Sequence, residues 1–228
     1  SYAKVTVFLE GLDLVSGIEV GHGGVWVGAA PELMFIPKDA QDRPGKPEVV
    51  LDGWAMQDTH ETLNSFTWGP DGWLYGCNGI LSNSKVGKPG TPDADRVAMN
   101  CGVWRYHPKT KVFEIYAEGG GNTYSLEIDS KGRVSSGTNY GATRGMHYEQ
   151  GSYGIKGWGK HGPLTNPYAF GWFEHMKSEG ETRRFPQAFA IYEGGLLGKD
   201  YDGQIIAPNS LANKVYVSTR LPEGSTFR

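Results

Sequence analysis

The stretch from Asn64 to Gly76 reads Asn-Ser-Phe-Thr-Trp-Gly-Pro-Asp-Gly-Trp-Leu-Tyr-Gly, which is strand, tight turn, strand. Pro70 presets φ, the Asp71 side chain can bond its own backbone, and Gly72 accepts positive φ, so Pro-Asp-Gly supplies the turn. Aromatic and β-branched residues flank it with a period near two. Weaker copies recur. Ser16–Val20, the turn His22-Gly23-Gly24 and Val25–Val27 make one; Ser125–Asp129, the turn Ser130-Lys131-Gly132 and Arg133-Val134 make another. The turn glycines Gly24, Gly72 and Gly132 are spaced 48 and 60 residues apart. Apolar strands leading into glycine-bearing turns precede the units, at Val5–Phe8, Val49–Leu51 and Val112–Tyr116. Ala188–Tyr192 opens a fourth unit, whose later strand is Lys214–Val217.

A repeat of roughly 40–50 residues built from four short strands has the form of a propeller blade. One blade cannot bury both of its faces, so neighbours must stack around an axis. The expected fold is therefore all-β: a single β-propeller domain over residues 1–228, with long loop insertions at about 81–101 and 139–186. Without those insertions the chain fits three to four blades, too few for a closed ring of about six. Gly224–Arg228 also reads as the lead-in to another strand. The expectation is a piece of a longer propeller, with a complete four-blade ring as the alternative. Asp58–Leu63 is the best short helix candidate.

Composition narrows the function classes. The 34 glycines among 228 residues, without a low-complexity run, argue for many tight turns. A net charge of −3 gives no electrostatic case for nucleic acid. No apolar run is long enough to cross a bilayer as a helix. Cys77 and Cys101 flank the first insertion, either as a disulfide stapling that loop or as two small buried residues on neighbouring strands. No Cys-x-x-Cys-His haem motif occurs.

Propeller ligands bind where loops gather at one mouth of the channel, which selects four stretches. In Gln57–Asn64, His60 can serve as a general base near neutral pH with Asp58 orienting it; the alternative is a local turn capped by Asp58. In Glu118–Ser125 three glycines allow close backbone approach, and Asn122 offers both donor and acceptor. This run could equally be a sharp turn between blades. The long insertion carries Arg144, suited to a ligand carboxylate, together with His147 and His161, candidate bases or metal ligands whose spacing matches no tight metal motif. Its aromatic residues suit sheet packing or a docked partner equally well. His107 and His22 read as structural residues of their turns.

Gly21–Val27, Asp58-Thr59-His60, Asn64–Gly76, Gly102–Pro108, Gly157–Phe170 and Gly224–Phe227 together resemble the membrane-bound dehydrogenase family of planctomycetes and verrucomicrobia. That family is similar to the quinoprotein glucose and sorbosone dehydrogenases, which are six-bladed propellers. The resemblance covers nearly the whole chain and implies export to the periplasm or cell exterior. It implies hydride transfer from a sugar or alcohol to pyrroloquinoline quinone held with calcium, and electrons passed on to a cytochrome. His60, nine residues before Gly69, stands where those enzymes place the base that takes the substrate hydroxyl proton. Their Arg-Asn-Pro-x-Gly stretch near the quinone corresponds to Gly121–Ser125. Asn122 is kept, while Gly121, Thr123 and Ser125 replace Arg, Pro and Gly. An anionic quinone needs cationic partners, and Arg144 is the residue available to replace the lost one.

Two readings follow. In the first, His60 and Asp58 are catalytic, and Asn122, Arg144 and His147 contact a cofactor or substrate; no metal ligand set is assigned. In the second, the propeller is a non-catalytic binding or scaffold subunit of a larger extracytoplasmic or membrane-associated complex. Convergence of these five side chains on one cavity would favour the enzyme.

Overall fold

The computed structural model describes residues 5–138, 143–159, 168–180, 188–209 and 211–228. His161 lies outside them. The described residues form mainly antiparallel sheets joined by turns and three short 3-10 segments, with no α-helix.

The first sheet is a four-stranded meander of β1 (Val15–Gly21), β2 (Gly24–Ala29), β3 (Glu32–Pro37) and β4 (Glu48–Asp52). The β1–β2 turn is His22-Gly23, both at positive φ, 50° and 82°. This two-residue geometry matches the strand twist. Gly24, expected in the turn, instead opens β2, where the Phe35 ring and the Ile36 carbonyl leave no room for a Cβ.

The second sheet begins with β5 (Asn64–Trp68) and β6 (Leu74–Asn78), the hairpin that the Pro-Asp-Gly turn predicts. A side hairpin, β7 (Ser84–Val86) with β8 (Val97–Met99), fills the first insertion. The chain then returns as β9 (Gly102–His107) and β10 (Val112–Gly120). The third sheet is β11 (Tyr124–Ile128), β12 (Val134–Gly137) and β13 (Met146–Tyr148). Next, β14 (Ser152–Lys156) crosses back to run parallel to β10 and carries β15 (Phe170–Phe173) on its far side. The span read as a second insertion thus supplies three strands. The fourth sheet is β16 (Ala190–Ile191), β17 (Ile205–Asn209) and β18 (Lys214–Ser218), followed by the small hairpin β19 (Pro222–Glu223) and β20 (Thr226–Phe227).

The first strands of the four sheets lie side by side: β1 against β5, β5 against β11, β11 against β16. That is the propeller arrangement, with sheets packed face to face about an axis. The first three inner strands each start with a residue at positive φ and a register break: Leu14 before β1, Ser65 in β5 and Ser125 in β11. Serines at these bulges stitch neighbouring sheets. Ser16 Oγ donates to the Leu63 carbonyl at 2.9 Å, Ser125 N–H to Ser65 Oγ at 2.7 Å, and Ser125 Oγ to the Phe189 carbonyl at 2.8 Å.

Apolar side chains fill the wedges between sheets. Trp26, Leu33, Phe66, Leu74 and Trp104 lie between the first and second; Tyr75, Val103, Leu126, Val134 and Tyr148 lie between the second and third. Each such large side chain contributes about 1.5–3 kcal/mol. Gly76 makes room for this packing, since a Cβ there would enter the Trp104 ring.

Two local expectations are corrected. Val5–Phe8 is not a strand: Val5 and Val7 stay exposed while Phe8 packs on the outer face of β2 and β3. Asp58–Leu63 is a turn rather than a helix, because the Asp58 carboxylate captures the His60 N–H and competes with helical bonding.

Candidate functional site

Three loops meet where the inner strands begin. The first, residues 57–64, leads into β5. Asp58 Oδ1 accepts the His60 N–H at 3.0 Å and lies 3.2 Å from His60 Nδ1. Ser82 Oγ donates to the Asp58 backbone carbonyl at 3.1 Å, anchoring the turn. The His60 side chain is 94% exposed, while that of Asp58 is 23% exposed. With Nδ1–H donating to Asp58, Nε2 carries the lone pair and faces outward. Asp58 caps the turn, and the same carboxylate oxygen contacts the His60 ring.

Behind the pair the loops are locked together by groups that sequence reasoning did not single out. Glu61 is 1% exposed, and its carboxylate accepts the Leu81 N–H while its carbonyl accepts Gly79 N–H at 2.8 Å. Gly79 must be glycine here, because a Cβ would overlap the Glu61 carboxylate. Asn64, fully buried, donates to the carbonyls of Glu61 at 2.9 Å and Thr123 at 3.2 Å, and accepts Ser65 Oγ–H at 2.7 Å. It thereby ties the His60 loop to the glycine-rich loop. Ile80 N–H donates to the Gly121 carbonyl at 3.1 Å, completing the link. Asn122 stands half-buried in this stapled loop, next to the His60 loop. The available signal was the polar pair Asn64-Ser65 opening an otherwise apolar strand.

Beneath the glycine-rich loop, Glu118 on β10 and Lys156 on β14 form an ion pair at 3.0 Å, with side chains 3% and 0% exposed. Cys77 and Cys101 are free thiols and both are buried. Cys101 Sγ donates toward the Gly121 carbonyl at 3.1 Å, and burial pushes its pKa up to about 12. The disulfide alternative is therefore not the arrangement found; the packed alternative is.

Arg144 and His147 take up different surroundings. Arg144, 8% exposed, donates from Nε to Ser218 Oγ at 3.2 Å and covers the Tyr216 ring of β18. His147 on β13 packs edge-on against Phe227, 5.0 Å between centroids, and burial lowers its pKa below the usual histidine value. His107 accepts the Thr110 N–H at 3.0 Å and abuts Trp73, and the His22 ring packs tilted against Trp68, as expected of structural residues. Among the described residues no three His, Cys, Asp or Glu side chains are grouped to hold a metal.

Pyrroloquinoline quinone can be tested against this mouth. Residues 57–64, 78–82 and 119–124 contain no Lys or Arg. They provide hydrogen-bond donors and close backbone, but no charge for the carboxylates of a quinone. The described mouth residues do not fit that group.

The fold is that of a β-propeller. The chain belongs to the family described as a domain of unknown function, DUF7133, whose model matches residues 1–228. Solved structures that share the fold include two described as sugar dehydrogenases. One is a Thermus thermophilus protein described as an oxidoreductase (glucose dehydrogenase), 14% identical, TM-score 0.54, matched over 96% of this chain and 82% of that one. The other is the aldose sugar dehydrogenase of Streptomyces coelicolor in its PQQ-bound form, 15% identical, TM-score 0.50, over 95% and 68%. No curated protein matches the sequence.

Proposed function

We propose that this chain is the dehydrogenase-like propeller of an extracytoplasmic oxidoreductase acting on a sugar or other alcohol. The observation that carries the reading is the Asp58–His60 pair at the propeller mouth. Asp58 holds Nδ1 of the imidazole, and Nε2 is left outward, where it can accept a proton from a substrate hydroxyl. Asn122, in the loop stapled beside it, would orient a second hydroxyl. The fold likeness to two sugar-dehydrogenase structures supports the substrate class. In this reading a cytochrome receives the electrons. A quinone with calcium would be the hydride acceptor, but residues 57–64, 78–82 and 119–124 carry no Lys or Arg to hold its carboxylates, so no step through it is derived.

The test is acceptor-linked oxidation of a sugar and polyol panel by the intact protein, with and without added quinone and calcium. His60→Gln should lower kcat about 100-fold or more, and Asp58→Asn should lower it less and alter the pH profile. Turnover unchanged in His60→Gln, or no turnover under any condition, would reject the proposal.

The absence of Lys and Arg from residues 57–64, 78–82 and 119–124 favours a second reading, a non-catalytic binding or scaffold propeller in a periplasmic or membrane-associated complex. Specific co-purification of a protein partner by an inactive but folded chain would support that reading instead.

A further inference from the structure

The wedge between the third and fourth sheets differs from the other two. Across the third sheet, Ser135 pairs with Glu127 on β11 and with His147 on β13, so these three residues form one row on one face. Their sequence neighbours Leu126, Val134, Met146 and Tyr148 point the other way, into the apolar wedge against the second sheet. The polar row faces the fourth sheet: Glu127 accepts the Ile191 N–H at 3.5 Å, and the His147 ring meets Phe227 of β20 edge-on. Phe227 is the centre of this wedge. The guanidinium of Arg133 lies 4.9 Å from its ring centroid, that of Arg220 5.1 Å, and the His147 ring 5.0 Å. Asp129, whose side chain is fully buried, binds both arginines, Arg133 at 2.6 Å and Arg220 at 3.2 Å. The His147 side chain is 4% exposed, and its Nδ1 is buried with no hydrogen-bond partner. Glu149 Oε1 lies 3.9 Å from that nitrogen, beyond hydrogen-bonding reach, on a side chain 44% exposed. A backbone pair closes the segment that carries Phe227: Leu221 and Arg228 exchange N–H to carbonyl bonds, both 2.9 Å.

This seat suits a neutral imidazole. A proton on His147 would set a third positive charge beside Arg133 and Arg220, out of water. Burial lowers its pKa most, Arg133 and Arg220 lower it further, and Glu149 and Asp129 oppose them. Asp129 is already engaged by the two arginines, and the half-exposed Glu149 draws an imidazolium toward the surface. We propose that His147 is a pH-sensitive latch for the 219–228 segment: neutral, it seats Phe227 against the third sheet; protonated, it releases it. A released ring titrates near the ordinary histidine value of 6.5 and the seated ring below it, so acid favours release. Release therefore grows as pH falls through about 6.5, by up to about tenfold per pH unit, and levels off below the seated value. The Asp129 carboxyl is held below its ordinary value and keeps both arginines through this window. Glu127, raised by burial, acts with the opposite sign: its proton uptake favours the seated form and cannot supply the release. The latch does not involve the Asp58–His60 pair.

The experiment is hydrogen exchange read by mass spectrometry on the full chain, each rate divided by its intrinsic value at the pH used. Protection across 219–228 should be about tenfold or more lower at about pH 5 than at about pH 7.5. At both it should lie below the protection across 24–37, the mark of local release rather than unfolding of the whole chain. His147→Phe should remove the acid loss, and Glu127→Gln should keep it. If His147→Phe does not fold by circular dichroism, His147→Gln takes its place. Imidazole NMR of the unaltered chain adds a check that needs no variant: the His147 signal should titrate below 6.5. Equal protection of 219–228 at both pH values, or protection no lower than across 24–37, overturns the proposal. So does an acid loss that survives in the folded His147 variant or disappears in Glu127→Gln, or a His147 signal that titrates above the ordinary value.

Discussion

The Glu118–Lys156 pair gives the sharpest quantitative prediction. Its atoms lie 3.0 Å apart with both side chains essentially out of water. At an effective dielectric near 20, charges about 3 Å apart attract by about 5 kcal/mol. Desolvation consumes much of that, so the intact pair is worth little against an apolar replacement, but removing one partner takes this counter-charge from the other, still buried, and costs about 3–5 kcal/mol. Lys156→Met should therefore lower stability by about that amount, and Glu118→Gln by somewhat less because an amide still offers an acceptor. In urea, with a slope of about 2–3 kcal/mol/M, the midpoint should fall by about 1–2 M. Glu118→Leu combined with Lys156→Met should recover much of the loss. The same pair ties β10 to β14 under the glycine-rich loop, so Lys156→Met should also speed hydrogen exchange at Gly119–Thr123. A loss below about 1 kcal/mol, or a double variant as unstable as the sum of the singles, would refute the reasoning.

Three other outcomes follow from the same packing. Cys77 and Cys101 should resist thiol reagents in the native protein and react only on unfolding, since burial raises both thiols and holds Cys101 at about 12; labelling followed by mass spectrometry checks this. Burial alone would raise the Asp129 pKa, but the hydrogen bonds and charges of Arg133 and Arg220 outweigh it and hold the carboxyl below its usual value. Its stabilisation is therefore full above about pH 4 and is lost as pH falls through the depressed folded value, whereas His147, depressed by burial, subtracts stability as pH drops below about 6.5. Thermal melts should show both declines, with Asp129→Asn flattening the lower one at a cost of about 3 kcal/mol at neutral pH. Gly76→Ala should destabilise by about 1–3 kcal/mol, read as a lowered melting temperature, because its methyl would occupy the space of the Trp104 ring.

Much of the architecture was legible in one dimension because hairpins are local. Pro70-Asp71-Gly72 fixes its turn through three residues' own φ preferences, and the alternation on either side fixes which face is buried. The repeat of that unit then implies stacked sheets. Glycine signals were ambiguous where packing rather than turning required them: Gly24 and Gly72 look alike in sequence, yet one serves a crowded strand and the other a turn. Val5–Phe8 looked like a strand, but a strand also needs a neighbour to take its hydrogen bonds, and periodicity carries no information about that.

Asp58 and His60 are two residues apart, so their pairing is set by local turn chemistry, and the sequence by itself determined it. It also determined the all-β class and the hairpin positions. Where Arg144 goes was decided only by the tertiary structure. Its neighbour Ser218 is 74 residues away, and its direction depends on β13 packing beside the fourth sheet. The Glu118–Lys156 pair likewise exists because β14 crosses back to lie parallel to β10. Contacts of this kind arise from how the sheets stack, and no local propensity of the residues involved encodes them.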